Sequence, residues 1–114
     1  MDGARQSRKS RALRETTIFC KRMIESEKLL EKKLTKRVSQ IGGLSIKLEA
    51  NITNGIPDRL ILHKGKAYFV EMKTTGQKPR PIQKLMHMKL SKVGFETEVI
   101  DSTEGIEKFI QKIF

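Results

Sequence analysis

Three residues of this 114-residue chain, Asp58, Glu71 and Lys73, are spaced so that one β-hairpin would gather them. Strand-like runs from Asp58 to His63 and from Lys66 to Lys73 flank Lys64-Gly65, and glycine at the second central position suits a two-residue turn. With His63 set against Lys66, counting outward puts Asp58 opposite Glu71. Directly opposed residues hold their Cβ atoms roughly 4.5–5.5 Å apart on one sheet face, and Lys73, two residues beyond Glu71, points the same way. Apposed carboxylates repel each other unless something compensates. A hard cation such as Mg²⁺ or Mn²⁺ removes that conflict, because it takes oxygen ligands and keeps positions for water and a phosphate oxygen. A lysine alongside can hydrogen-bond or deprotonate water, or neutralise charge developing on phosphorus. The chemistry such a set supports is hydrolysis of a phosphodiester.

The same residues also admit a plainer reading. Asp58 could end a loop after Pro57, and Glu71 could be a solvated strand residue bridged to Lys73. The neighbours Leu60, Ile61, Leu62, Phe69 and Val70 are strongly apolar, which marks a central strand pair, where a charge needs a partner.

The charge balance points toward an anionic partner. Lysine and arginine total 24 against 13 acidic residues, a net charge of +11. Such an excess costs self-repulsion, and nucleic acid is the leading candidate because each neutralised phosphate releases counterions. A generic solubility surface and an anionic membrane are the alternatives. With one tyrosine, five phenylalanines and no tryptophan, a broad stacking platform for single-stranded bases is disfavoured. No apolar run approaches the roughly 18 residues needed to span a bilayer, and the basic N-terminus lacks the apolar stretch of a secretory signal. A cytoplasmic protein is expected, and the lone Cys20 agrees with a reducing compartment.

The elements that must position these residues follow from periodicity. Residues 1 to 22 carry Arg5, Arg8, Lys9, Arg11, Arg14, Lys21 and Arg22 against Asp2 and Glu15, without a sustained apolar period. They read as a weakly ordered basic arm ahead of one domain over residues 23–114. Leu30, Leu34, Val38 and Ile41 form a helical stripe that Gly42-Gly43 ends. Leu44, Ile46 and Leu48 alternate as in a half-buried strand. After the hairpin, a helix over 82–93 is expected to turn Leu85, Met86, Leu90 and Val93 inward. A strand over 95–100 and a closing helix with Ile106, Phe109, Ile110 and Ile113 inside complete the chain. The order α-β-β-β-α-β-α implies a single α/β domain with a mixed sheet flanked by helices.

With those elements set out, Gly55-Ile56-Pro57-Asp58, then Glu71-Met72-Lys73 after a short hairpin, then Gln83 opening the next helix, resembles the VRR-NUC nucleases of the PD-(D/E)XK superfamily. The resemblance runs from about Glu25 to Phe114 and implies a restriction-endonuclease-like fold. By position it implies Asp58, Glu71 and the Met72 carbonyl as ligands of Mg²⁺ or Mn²⁺, Lys73 as the catalytic lysine, and Gln83 beside the site. It also implies an acidic residue on the first helix, for which Glu31 is the better match and Glu27 the reserve. The activity implied is a DNA endonuclease selective for branched DNA or Holliday junctions, without an organic cofactor. By analogy the chain would be bacterial or phage-encoded.

Lys78 and Arg80, in the loop before Gln83, are candidates to receive phosphates flanking the scissile bond. Arg59 should point to the opposite sheet face, either in a structural pair or toward DNA. Lys32, Lys33, Lys36 and Arg37 give the first helix a basic side, either solvated or tracking DNA. His63 and His87 are too isolated for a zinc site, and no P-loop pattern occurs. A domain with one site needs a twin to cut two strands symmetrically, so a homodimer is expected, with apolar residues near the fourth strand and last helix as candidates for its interface. A non-catalytic nucleic-acid-binding module and an RNA nuclease are the rival readings.

Overall fold

A computed structural model describes residues 24–49 and 53–114. The basic arm expected over residues 1–22, with Cys20, lies outside the described residues. The elements are α1 (Glu27–Gln40), β1 (Leu44–Lys47), β2 (Arg59–His63), β3 (Lys66–Met72), α2 (Pro81–Lys92), β4 (Thr97–Ile100) and α3 (Thr103–Ile113). They form one mixed sheet in the order β1-β2-β3-β4. The first two pairings are antiparallel, and β3–β4 is parallel. This is the α/β architecture that the periodicity predicts, because only a helical crossover brings β4 alongside β3 in parallel.

Helix α1 starts where the Ser26 hydroxyl accepts from the Leu29 N–H at 3.2 Å and lays Leu30, Leu34 and Val38 fully buried against the sheet. It stops at Gly42, whose φ of +84° suits glycine, and the Gly43 N–H caps the Val38 carbonyl at 2.9 Å. The hairpin has the register counted from the sequence, from His63↔Lys66 to Arg59↔Val70. Its turn residues Lys64 and Gly65 both take positive φ, 51° and 76°, the backbone that matches a twisted antiparallel pair.

The core lies on one face of the sheet. Ile61, Val70, Met72 and Ile100 meet Leu30, Leu34 and Val38 of α1 and Ile106, Phe109, Ile110 and Ile113 of α3. His63 is buried there, its ring nitrogens 3.1 Å from the Ile113 and Ile41 carbonyls, a structural tie between helix ends.

On the other face two expectations change. Leu44 and Ile46 pair with Leu62 and Leu60, which turns them away from α1 and α3, and Leu44 is 57% exposed. In α2, Leu85 and Val93 are exposed, at 48% and 68%. The inward side of that helix starts at buried Gln83 and continues through half-buried Met86, His87 and Leu90. The polar Gln83 takes the buried position because it has hydrogen-bond partners there. The last helix, by contrast, buries its apolar side in the core, so the exposed apolar surface belongs mainly to the open sheet face and to α2.

Candidate active site

The C-terminal end of β3 delivers Glu71, Met72 and Lys73 to one place. Asp58 sits immediately before β2, one rung past the last ladder pair, and its Oδ1 accepts from the Met72 N–H at 3.1 Å. That bond fixes the carboxylate across from Glu71. Ahead of it, Gly55 has φ +78°, and a Cβ there would lie 2.5 Å from the Ile82 carbonyl oxygen. The Gly55-Ile56-Pro57 segment therefore runs against the first turn of α2, and Pro57 is fully buried.

That first turn supplies Gln83, which faces Glu71. The Gln83 Oε1 accepts from the Arg80 N–H at 2.8 Å, and its Nε2 donates to Glu71 Oε2 at 3.0 Å. Lys73 Nζ stands 3.6 Å from the same Oε2. Glu71 is only 3% exposed, and its second oxygen, Oε1, is buried without a hydrogen-bond partner among the described residues. A buried acceptor left unmade is costly, and a carboxylate oxygen in that state is suited to a cation.

The electrostatics point the same way. Burial pushes the Asp58 carboxyl up to about 6; Glu31 and Glu27 add to the rise, while the Met72 N–H and Lys47 oppose it. Burial and then the neighbouring Asp58 push Glu71 up to about 7, with Lys73 pulling the other way. Both acids thus hold protons more tightly than usual, as buried carboxylates beside other acids do.

Helix α1 brings two further acids. Glu27, Glu31 and Asp58 each offer an oxygen, and the three lie within 4.8 Å of one another. The two α1 residues differ in what surrounds them. Glu31 accepts from Arg59 Nη2 and from Lys47 Nζ, both at 3.0 Å, so its charge is already answered. Arg59 is on the sheet face opposite to Asp58, as alternation required, and its role there is this structural pair. The Glu27 carboxylate has no ion-pair partner among the described residues.

A clasp, not foreseen from the sequence, sets α1 relative to Lys73. The Glu25 N–H donates to Thr75 Oγ1 at 2.9 Å, and the Thr75 N–H donates to the Glu25 carbonyl at 3.1 Å. The Glu27 N–H donates to Thr74 Oγ1 at 3.2 Å. The Glu25 carboxylate takes Lys33 and both the N–H and hydroxyl of Thr103. Thr74 and Thr75 follow Lys73 directly, so the lysine's strand end is tied to the start of α1.

Lys78 and Arg80 are exposed on the loop leading to α2, and no contact joins their side chains to Glu71. His87 belongs nearer the site than its isolation in the sequence suggested. It lies one turn after Gln83 on the same side of α2, its Nε2 is buried without a partner among the described residues, and burial, then Lys73, lowers its pKa. The four-residue spacing from Gln83 was the available signal.

A mixed sheet in this order, with two carboxylates and a lysine converging at the end of a central hairpin, is the arrangement of the PD-(D/E)XK nuclease superfamily. A protein of Acyrthosiphon pisum secondary endosymbiont phage 1, named "Putative nuclease p44", is 40% identical over 79 residues, which span 68% of this chain and 85% of that protein. A solved structure described as a VRR_NUC domain superposes with a TM-score of 0.71 at 30% identity, over 79% of this chain and all of that one. No family model matches the chain. The chain belongs to the VRR-NUC family of nuclease domains.

Proposed function

We propose that this domain is a metal-dependent endonuclease that hydrolyses DNA phosphodiester bonds, with branched DNA or Holliday junctions as substrates. The observation that carries the reading is the buried, unpartnered Oε1 of Glu71 beside Asp58. An all-oxygen donor set of this kind fits a hard cation rather than a soft one. Asp58, Glu71 and the Met72 carbonyl would hold Mg²⁺ or Mn²⁺, which when bound polarises a phosphoryl oxygen and acidifies water.

The chain's own residues divide the remaining work. Gln83 fixes Glu71 through Oε2 and leaves Oε1 for the cation. Lys73, 3.6 Å from that carboxylate, is placed to take the proton of the attacking water or to donate to charge developing on phosphorus. Water adds to phosphorus, the bond to the leaving oxygen breaks, and that oxygen gains a proton. Lys78 and Arg80 receive phosphates on either side of the break. Glu27 and Glu31 complete the acidic wall, Glu27 carrying the charge that Glu31 has already paired.

The described residues hold one such site, so paired cuts across a junction call for two copies. Asp58 and Glu71 share their sheet face with exposed Leu44, Ile46 and Val99. A second copy covering that apolar face by two-fold symmetry would set both sites on one side of a homodimer.

Cleavage of labelled linear, flap, fork and four-way DNA, and of RNA, in Mn²⁺ against EDTA tests the reading, with Lys73→Ala as control. The wild type should cut branched DNA in metal only, and the variant should lose about 100-fold or more in rate. Binding without cleavage would leave a non-catalytic module, preference for RNA would replace the substrate, and an equally active variant would remove Lys73 from the chemistry.

A further inference from the structure

The basic residues of α1 separate into two sides with different neighbours. Lys33 pairs with Glu25, and Arg37 pairs with Glu107 through Nε at 2.7 Å and Nη2 at 2.9 Å. Those two cations are spent inside the fold, joining α1 to the start and first turns of α3. Lys28, Lys32 and Lys36 have no such partner among the described residues. They line an open groove of about 640 Å³ with Thr35, Ser39 and Arg59.

Their spacing is four residues each, so they stand in one row about 6 Å apart along the helix axis. Like charges at that spacing disfavour the helix by a few tenths of a kcal/mol per pair, and the acid that lines the groove with them, Glu31, is paired with Lys47 and Arg59 instead. Three ammonium groups in an open groove are the mirror image of the two crowded carboxylates: each set lacks a full counter-charge among the described residues. The groove is also joined to the acidic site, since Glu31 lines it and stands within 4.8 Å of Glu27 and Asp58 in oxygen-to-oxygen distance.

We infer that this groove is a track for the phosphodiester backbone of double-stranded nucleic acid, carrying one strand away from the scissile position along α1. A single small anion would leave most of such a groove empty, whereas successive phosphates can meet successive lysines. Thr35 and Ser39 offer hydroxyl donors along the same path. The inference rests on the nuclease reading for what the strand is doing there, but it can be tested by binding alone.

The test compares full-length wild type with K28A/K32A/K36A and with K66A/K92A/K108A, which removes the same charge from exposed lysines elsewhere. Fluorescence anisotropy in EDTA, over a series of KCl concentrations, measures Kd for a labelled DNA duplex and for the RNA duplex of the same sequence. The groove variant should bind DNA at least about tenfold more weakly, and its salt slope should fall by about 2.7, since each phosphate contact contributes about 0.9. The control should shift far less. Melting temperatures establish that both variants are folded, and the single reversal K32E should move Kd in the same direction. Over a range of branched-DNA concentrations in Mn²⁺, the groove variant should lose kcat/KM chiefly through a raised KM. Equal weakening by both triple variants, or a wild type that binds neither duplex, overturns the groove. Tighter binding of the RNA duplex identifies RNA as the tracked strand. A wild type that binds through the lysines yet cuts nothing leaves the groove standing and removes the nuclease reading.

Discussion

The side-chain amide of Gln83 joins α2 to the end of β3, donating to Glu71 Oε2 at 3.0 Å while its oxygen accepts from the Arg80 N–H at 2.8 Å. One residue thus orients Glu71 and closes the first turn of its own helix. Gln83→Leu keeps the bulk and removes both bonds, stranding a buried carboxylate oxygen and a backbone N–H. The expected cost is about 1–3 kcal/mol in urea unfolding, with a cleavage rate reduced by about tenfold or more at fixed Mn²⁺. Gln83→Glu keeps the acceptor but sets a third acid against Glu71, which tightens its hold on a proton, so the loss in rate should be greater at acidic than at alkaline pH. A leucine variant with unchanged metal dependence and rate would show that Glu71 is oriented by something else.

Glu71 and Asp58 set a pH dependence with a definite sign. Their folded carboxyls lie near 7 and 6, above ordinary values of 4.5 and 3.8. The folded state binds protons more tightly than the unfolded chain, so their contribution to stability is full below about pH 4 and is lost as pH rises through about 7. The two titrate as a pair. Thermal melting in EDTA, from about pH 4 to about pH 8, should show wild type losing stability relative to Glu71→Gln across that window. Added Mg²⁺ at the alkaline end should raise the melting temperature of wild type more than that of the variant. Parallel curves in EDTA would mean that the two acids do not share an unmet charge.

Glu25 acts in the opposite direction. Burial works against its ionisation, but Lys33 and the two Thr103 donors outweigh burial and hold its carboxyl below the usual carboxylate range. Its contribution is present above about pH 4.5 and is lost as pH falls through its depressed folded value. Glu25→Gln should destabilise the fold by about 1–3 kcal/mol near neutrality and by much less in acid, as read by urea unfolding at two pH values. Because the clasp ties α1 to the residues after Lys73, the cleavage rate should drop as well. Loss of stability without any change in rate would confine the clasp to a structural part.

The sequence made some of this legible for physical reasons and withheld the rest for others. The hairpin register was countable because Lys64-Gly65 permits a two-residue turn and strand alternation has a period of two. The α1 stripe and its glycine stop were equally local. Alternation does not say which face is covered, so Leu44 and Ile46 were expected inward and lie outward. Apolar periodicity placed Met86 and Leu90 on the inward side of α2 but misplaced Leu85 and Val93, because that side leads with the polar Gln83, which only the family resemblance singled out. The clasp joins Glu25 to Thr75 and Thr103, 50 and 78 residues away, and no local pattern encodes such a contact. The pairing of Glu31 with Lys47 and Arg59, which leaves Glu27 as the unanswered acid, is tertiary in the same sense.

Gly55 offers the most discriminating substitution, because its side chain does no chemistry. Its φ of +78° disfavours any L-residue, and a Cβ would stand 2.5 Å from the Ile82 carbonyl oxygen and 3.3 Å from the Cα of Gln83. Gly65, with φ +76°, has the same backbone conformation but nothing within 4 Å of an added Cβ. Both alanine variants incur the conformational penalty, about 1–2 kcal/mol. Only Gly55→Ala must also move backbone, either the loop that carries Asp58 or the helix turn that carries Gln83. It should therefore lose more stability than Gly65→Ala and should cut DNA at least about tenfold more slowly, whereas Gly65→Ala should stay near the wild-type rate. The measurement is a matched pair of urea titrations and cleavage rates in Mn²⁺. If the two variants are equally active, the close approach of the Gly55 loop to α2 does not set the spacing between Asp58 and Glu71, and the Met72 hydrogen bond to Asp58 is sufficient to hold it.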